Sequence, residues 1–207
     1  MTDAQKNSII GFVQRHHIAG GTVGEYRYSM STAKPTLYSS CYASMIYALF
    51  GELDRYTSDE KQAWGDYINS FQDDDGLYRD PVIFGEGWYK DDPFDCGRPH
   101  LTCHAIIALA CLGCTAKKEF ALSHKFADLN LLDTWLSERD FGERVGWTGN
   151  EIMNLGMLLQ YSRDFHNDSR AGHAAEHILD WLDCHYLNED TGVWGTLDIS
   201  DPVNRSH

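Results

Sequence analysis

The chain has 207 residues, of which 43% are apolar and 23% are charged, which is enough for one globular domain with a substantial core. Its net charge of −14 disfavours nucleic acids and anionic membranes as partners, because both attract basic patches, and leaves neutral or cationic small ligands. No apolar run reaches about 18 residues, and the N-terminus lacks a basic region before an apolar stretch, so neither a membrane-spanning helix nor a secretory signal is expected.

The spacing of apolar residues predicts helices of two alternating kinds. In chain order they are expected near residues 3–16, 37–53, 58–72, 99–114, 124–139, 148–162 and 171–187. The second, fourth and sixth are apolar on nearly every face and should be enclosed by protein, whereas the others are apolar on one face. Two helix starts, Thr57 with Glu60 and Thr148 with Glu151, fit a capping box. The alternation predicts an all-α protein in which inner helices are surrounded by outer helices.

The connections of this pattern are unequal in length. The long ones, residues 18–34 and 74–98, and the tail 188–207 all follow outer helices, so they should lie on one rim and carry function. The order is one outer helix and then three inner–outer pairs. We therefore expect residues 1–207 to form a single domain, an incomplete α/α toroid. It would be a fragment of a larger ring, or its open edge would be covered by a second domain, a subunit or a second copy.

Two turns after outer helices share an order of residues. The first has Gln72, Gly76 and Tyr78, and the second has Gly192 and Trp194. This order resembles the helix-end repeat of α/α-toroid proteins, such as protein prenyltransferase β-subunits and squalene–hopene cyclases. The resemblance implies an enzyme domain that acts on an apolar, isoprenoid-like small molecule by acid catalysis. Similar turns in carbohydrate-active α/α barrels leave a glycoside hydrolase or polysaccharide lyase as the alternative, and a non-catalytic docking module as the second alternative.

Candidate metal ligands stand near the starts of two inner helices. Cys41 matches the cysteine of the prenyltransferase zinc site, but Ser39 stands where that site has aspartate, and His100 is displaced by one position. No cofactor is therefore predicted. Because His100, Cys103 and His104 are spaced to share one helix face, zinc or another divalent metal at these residues and Cys41 remains a weaker alternative.

The segment that leads into the second inner helix combines acids with aromatic residues. Such a mixture suits sugars, which stack on aromatic rings, or carbocations, which aromatic faces stabilise after an acid has protonated the substrate. Asp95 directly precedes the buried helix, where desolvation would raise the pKa of its carboxyl towards that of a general acid. The acids of Asp73–Asp75 are interpreted as a solvated turn. The predicted catalytic residues are Asp95, Asp92 and His100, and the predicted substrate-binding residues are Tyr38, Trp88, Tyr89, Trp147, Asn150, Asn154 and Trp194.

The six cysteines lie mostly within apolar helical runs. This placement is typical of reduced core residues rather than of a disulfide framework. Together with the missing signal, it predicts a cytoplasmic protein that binds a small molecule and neither enters a membrane nor binds nucleic acid.

Overall fold

A computed structural model describes residues 1–83, 93–142 and 144–195, with the backbone alone for Asp95 and Cys96. The protein is all-α, as predicted. Its helices are α1 (Asp3–His16), α2 (Leu37–Leu49), α3 (Ser58–Asn69), α4 (Arg98–Leu112), α5 (Ala121–Phe126), α6 (Leu129–Ser137), α7 (Val145–His166) and α8 (Ser169–Tyr186). Short 3-10 turns cover Glu52–Arg55 and Pro93–Cys96, and β1 (Leu187–Asn188) pairs antiparallel with β2 (Val193–Trp194).

The predicted outer helix at 124–139 is in fact two helices, α5 and α6. Asp128 leaves the helical conformation with φ −85° and ψ 109°, and its carboxylate accepts a hydrogen bond from the backbone N–H of Asn130. An aspartate in this position caps a new helix and does not continue the old one. The break was therefore encoded in the sequence, within an otherwise continuous apolar stripe.

The predicted capping box at Thr148 is wrong, whereas the one at Thr57 is confirmed. Thr57 and Glu60 exchange both hydrogen bonds of the box. Helix α7 instead begins at Val145, so Thr148 lies inside it and donates its hydroxyl to the carbonyl of Asp140 over 2.6 Å. Glu151 then lies one turn further along and pairs with Arg139 at 2.8 Å.

The chain divides into two compact units, Met1–Lys118 with α1 to α4, and Glu119–His207 with α5 to α8. In the first unit, α2, α3 and α4 pack on one another around the fully buried side chains of Trp64, Ile68 and Leu101. In the second, α7 and α8 form a hairpin closed by the two-residue link Asn167–Asp168, and this short link makes them antiparallel neighbours.

The turn between α3 and α4 is held by side-chain hydrogen bonds of Gln72. Its amide nitrogen donates to the carbonyls of Gly76 and Lys118, each over 2.9 Å, and its oxygen accepts from the backbone N–H groups of Lys117 and Lys118. Gln72 is buried, so removing these bonds would leave backbone groups without partners. The turn and the loop after α4 are therefore fixed to each other.

The acids of the turn Asp73–Asp75 are all exposed to solvent in part, as predicted, but two of them also bind Arg98. Asp73 and Asp75 accept hydrogen bonds from the buried guanidinium of Arg98, at 3.0 and 2.8 Å. Asp74 is fully exposed and pairs with Lys118. A buried arginine needs such partners because an unpaired charge is costly to desolvate, so the acids anchor the start of α4.

The prediction that the inner helices are enclosed on all faces is also wrong in part. On α7, the side chain of Met153 is 47% exposed and Trp147 is 62% exposed, and Leu49 of α2 and Ile107 of α4 are exposed as well. The apolar run shows that most of each helix is buried, but it cannot show that every face has a neighbour. Within the described ranges, no helix is both long and apolar enough to cross a membrane.

Candidate functional site

Two residues that the sequence singled out separately meet between α2 and α4. The hydroxyl of Tyr38 lies 2.7 Å from Nδ1 of His100, although 62 positions separate them in the chain. One helical turn further on, the hydroxyl of Tyr42 lies 3.2 Å from Nε2 of His104. These four residues, which we call the Tyr–His cluster, form two hydrogen-bonded pairs in successive layers.

The two layers exist because α2 and α4 run side by side in the same direction. Residues four apart on a helix lie on one face, so Tyr38 and Tyr42 face α4 together, and His100 and His104 face α2 together. Both pairs are 62 residues apart in sequence, and the residue numbers rise in the same direction on both helices. The predicted inner–outer repeat would require consecutive inner helices to be parallel, and α2 and α4 are parallel.

The hydrogen bonds fix the orientation of one imidazole. Nδ1 of His104 lies 2.9 Å from the carbonyl oxygen of His100, and because a carbonyl only accepts, this nitrogen carries the hydrogen. In the neutral ring Nε2 is then an acceptor, and the hydroxyl of Tyr42 donates to it. The rings are also packed together: Tyr38 and Tyr42 stack with centroids 6.0 Å apart, and the two imidazole centroids are 4.5 Å apart.

The environment favours the neutral form of His100. Partial burial, and then the neighbouring His104, lower the pKa of its imidazole below the ordinary value of 6.5. At neutral pH the ring therefore keeps an unprotonated nitrogen, which can accept a proton. Tyr38 and both histidines are half-buried, and Tyr42 is exposed, so the Tyr–His cluster is accessible to a ligand from outside.

The ends of both helices are held by neighbouring buried polar groups. Asp80 is fully buried, and its carboxylate accepts from the backbone N–H of Leu37, the first residue of α2, over 2.6 Å. Thr102 on α4 accepts from the backbone N–H of Tyr78 over 3.0 Å. The segment from Tyr78 to Asp80 therefore links the starts of α2 and α4, and it sets the register of Tyr38 against His100.

The cysteines proposed as alternative metal ligands are core residues. Cys41 and Cys103 are buried, and burial raises the pKa of the Cys41 thiol and raises that of Cys103 to about 12. Thiols bind metals as thiolates, so burial works against this role. In the part of the chain that the structure describes, no three histidine, cysteine, aspartate or glutamate side chains converge on a point where a metal ion could bind.

The predicted acids and two predicted aromatic residues cannot be placed at the cluster. Asp92, Trp88 and Tyr89 lie outside the described residues. Asp95 lies in the turn Pro93–Cys96, which directly precedes α4 and stands five positions before His100, but its side chain is not described. Its role as an acid stays a prediction.

The remaining predicted residues belong to the second unit. Asn154 is buried on α7, Asn150 is half-buried, and Trp147 is exposed. Trp194 lies over a groove between α7 and α8 of about 400 Å³, and its indole N–H donates to Asp183 over 2.8 Å. Of these four, Trp194 alone lines that groove.

Comparison with known proteins gives no assignment. No family model, no curated protein and no solved structure matches this chain. The geometry of the site therefore carries the functional argument.

Sequence reasoning missed Tyr42 as a partner of His104, and it missed Asp80 altogether. A signal for the first was present, because Tyr38 and Tyr42 have the same four-residue spacing as His100 and His104, and both pairs lie on predicted inner helices. Asp80 gave no signal, since an aspartate in an acidic loop reads as solvated until the fold buries it.

Proposed function

We propose that this chain is an enzyme domain of the α/α-toroid type that acts on a neutral, apolar, isoprenoid-like small molecule, with the Tyr–His cluster transferring protons. The observation that carries the proposal is the 2.7 Å hydrogen bond between Tyr38 and His100, which couples a hydroxyl to a neutral imidazole at the surface of two inner helices. The parallel run of α2 and α4 supports the toroid architecture, and the net charge of −14 favours a neutral substrate over an anionic one.

The pair suits the loss of a proton from a cationic intermediate. With the hydrogen of the neutral His100 ring on Nε2, the hydroxyl of Tyr38 donates to Nδ1, and its oxygen takes a proton from the carbon next to a carbocation. The hydroxyl proton passes to His100, and the electrons of the broken C–H bond form the new double bond. The stacked faces of Tyr38 and Tyr42 would stabilise the positive charge beforehand. The initial protonation is assigned to Asp95 or Asp92, as the sequence predicts.

A carbohydrate-active enzyme is the second candidate. The exposed rings of Tyr42 and Trp147 favour it, because sugars stack on exposed aromatic faces. A hydrolase would need two carboxylates for acid and base chemistry. In a lyase, the Tyr38–His100 pair itself would remove the proton.

The test is turnover of isoprenoids by the purified chain and by Tyr38→Phe, with products followed by gas chromatography. Tyr38→Phe removes the hydroxyl that contacts the substrate and keeps the ring, so we expect kcat to fall by about 100-fold or more, as for loss of a positioned acid–base group. His100→Gln should cause a similar loss. Tyr186→Phe, which removes the hydroxyl of a half-buried tyrosine in the second unit, is the matched control and should retain activity.

Two outcomes would reject the proposal. If Tyr38→Phe and His100→Gln both turn over the substrate at the wild-type rate, the Tyr–His cluster is not the reacting site. If isoprenoids are unchanged while neutral oligosaccharides or uronate polymers are cleaved, the carbohydrate-active alternative is correct.

A further inference from the structure

The second unit contains an apolar groove that the Tyr–His cluster does not use. Its floor consists of buried side chains of both helices of the α7–α8 hairpin, among them Ile152, Ile178 and Leu182. Met153, Leu179 and Trp194 also line the groove, and each is about half exposed. The groove therefore exposes apolar side chains to water, which is unfavourable. It lies on α7, whose sequence is apolar on nearly every face.

The lining of this groove has the period of a packed helix. On α7 it includes Gly149, Ile152, Gly156 and Gln160, and on α8 it includes Ala175, Ile178, Leu179 and Leu182. On α7 the named residues recur every three or four positions, and on α8 Ala175, Ile178 and Leu182 do so as well, with Leu179 beside them. The α7 lining extends from Val145 to Gln160, about 22 Å along the axis. Two such antiparallel stripes form the seat into which a third helix packs its side chains.

Two glycines deepen the seat on α7. Among the residues that the structure describes, no atom lies within 4 Å of a Cβ added at Gly149 or Gly156, so neither position is filled by a described neighbour. They stand seven residues apart, two turns along the same face, and each leaves a hollow that an incoming side chain could fill. The groove offers few polar groups to orient a ligand, chiefly Gln160, whereas small-molecule sites normally combine apolar walls with several placed polar groups.

The charge along the rim selects between possible occupants. Glu176, Asp180 and Asp183 are exposed on α8 along the flank next to Leu179. A second copy of this chain would bring the same acidic flank and a net charge of −14, so like charges would oppose self-association. A helix with lysine or arginine beside its apolar face would instead be attracted.

We infer that the α7–α8 groove is a docking site for an amphipathic helix of a partner protein, whose apolar face fills the groove and whose basic flank lies against Glu176, Asp180 and Asp183. The inference is independent of the proposed function, because the groove and the Tyr–His cluster share no residue.

The test is binding of two synthetic peptides to the full chain, measured by isothermal titration calorimetry. Both are amphipathic helices of about 18 residues, long enough to fold on binding, with identical leucine faces. One carries lysine and the other glutamate on the flanks. The lysine peptide should bind, and the glutamate peptide should bind at least about tenfold more weakly, since rim charges that repel the wrong partner reduce its affinity.

Groove variants separate docking from nonspecific attraction of a basic peptide to an acidic protein. Gly156→Leu fills the groove without changing any charge, and it should weaken binding of the lysine peptide by about tenfold or more. Gly156→Ala, which adds one methyl group, and Gly11→Leu, the same change on α1, are the matched controls and should bind as wild type does. Glu176→Lys combined with Asp180→Lys should reverse the preference between the two peptides.

Three results would overturn the inference. The first is equal binding of the lysine peptide to wild type and Gly156→Leu, provided that circular dichroism shows the variant to be folded. The second is a dimer in sedimentation velocity that Gly156→Leu dissociates, which would make the occupant a second copy. The third is an isoprenoid alcohol that binds in the groove and is blocked by Gly156→Leu, while the lysine peptide does not bind.

Discussion

At the residue scale, single polar side chains in this protein each hold several partners. Gln72 satisfies four backbone groups, Arg98 is paired with two aspartates, and Asp80 caps α2 from a loop more than forty residues away. Burial makes each of these groups expensive to remove, because its partners would lose their hydrogen bonds without gaining water. The position of the Tyr–His cluster therefore depends on residues that do not belong to it.

Replacement of Asp80 tests this dependence. Asp80→Ala leaves the backbone N–H groups of Leu37 and Val82 without their acceptor, so the free energy of unfolding should fall by about 3 kcal/mol. Asp80→Asn keeps one acceptor oxygen and should cost less. Asp74→Ala, which removes an exposed aspartate, should stay within about 0.5 kcal/mol of wild type. Urea denaturation measures all three, and equal losses for Asp80→Ala and Asp74→Ala would refute the capping role.

The lowered pKa of His100 makes stability depend on pH. The unfolded histidine titrates near 6.5 and the folded one below it, so the unfolded state binds more protons in this interval. The contribution of His100 to stability is therefore complete above about pH 6.5 and declines as the pH falls through the interval to the folded pKa. His166, whose pKa burial also lowers, contributes in the same direction.

His100→Gln isolates the share of His100. Glutamine can still accept a hydrogen bond from Tyr38 but does not titrate, so urea denaturation between about pH 7.5 and 5.5 should show a shallower decline than in wild type. His173→Gln, at an exposed position on α8, should follow the wild-type curve. An unchanged pH dependence in His100→Gln would show that its environment does not disfavour the imidazolium.

At the element scale, helix positions followed from sequence more accurately than helix surroundings. The apolar period located α1, α3 and α8 to within a few residues, because one-sided burial produces a repeat of 3.6 residues whatever covers it. The division between α5 and α6 and the start of α7 depend on which polar side chain caps a helix. Asp128 caps α6, whereas Thr148 does not cap α7 and donates its hydroxyl to the carbonyl of Asp140.

Two glycines should respond in opposite ways to the same substitution. Gly113 ends α4 with φ +73°, a left-handed conformation, so Gly113→Ala should destabilise the protein by about 1–2 kcal/mol. Gly156 lies inside α7 with open space where a Cβ would stand, so Gly156→Ala should stabilise it by up to about 1 kcal/mol. Thermal denaturation of the two variants provides the measurement, and a shift of the same sign in both would contradict the assigned conformations.

At the scale of the whole molecule, the cysteines differ in how deeply they are buried in the two units. Cys41 and Cys103 are buried in the first unit, Cys111 and Cys114 are partly exposed, and Cys184 is exposed on α8. Burial raises the pKa of the first four thiols, which slows their reaction because the thiolate is the reactive form.

Titration with a thiol reagent at neutral pH should therefore proceed in stages. Of the five cysteines whose side chains the structure describes, Cys184 should react first, Cys111 and Cys114 more slowly, and Cys41 and Cys103 only after denaturation. Cys184→Ser should remove the labelling of Cys184 and leave the rates of the other four described cysteines unchanged. Rapid labelling of Cys41 or Cys103 in the native protein, located by peptide mass spectrometry, would contradict the described cores.

The amino-acid sequence by itself determined the all-α class, the positions of α1, α3 and α8, and the presence of Tyr38 and His100 near the starts of α2 and α4. The apolar period and the capping residues of a helix lie close together in sequence, so both can be read from the sequence alone. Only the tertiary structure decided that Tyr38 meets His100, that Asp80 and Arg98 are buried, and that Met153 on α7 is about half exposed. These outcomes depend on the register between elements distant in the chain, and each residue's own neighbours in sequence say nothing about that register.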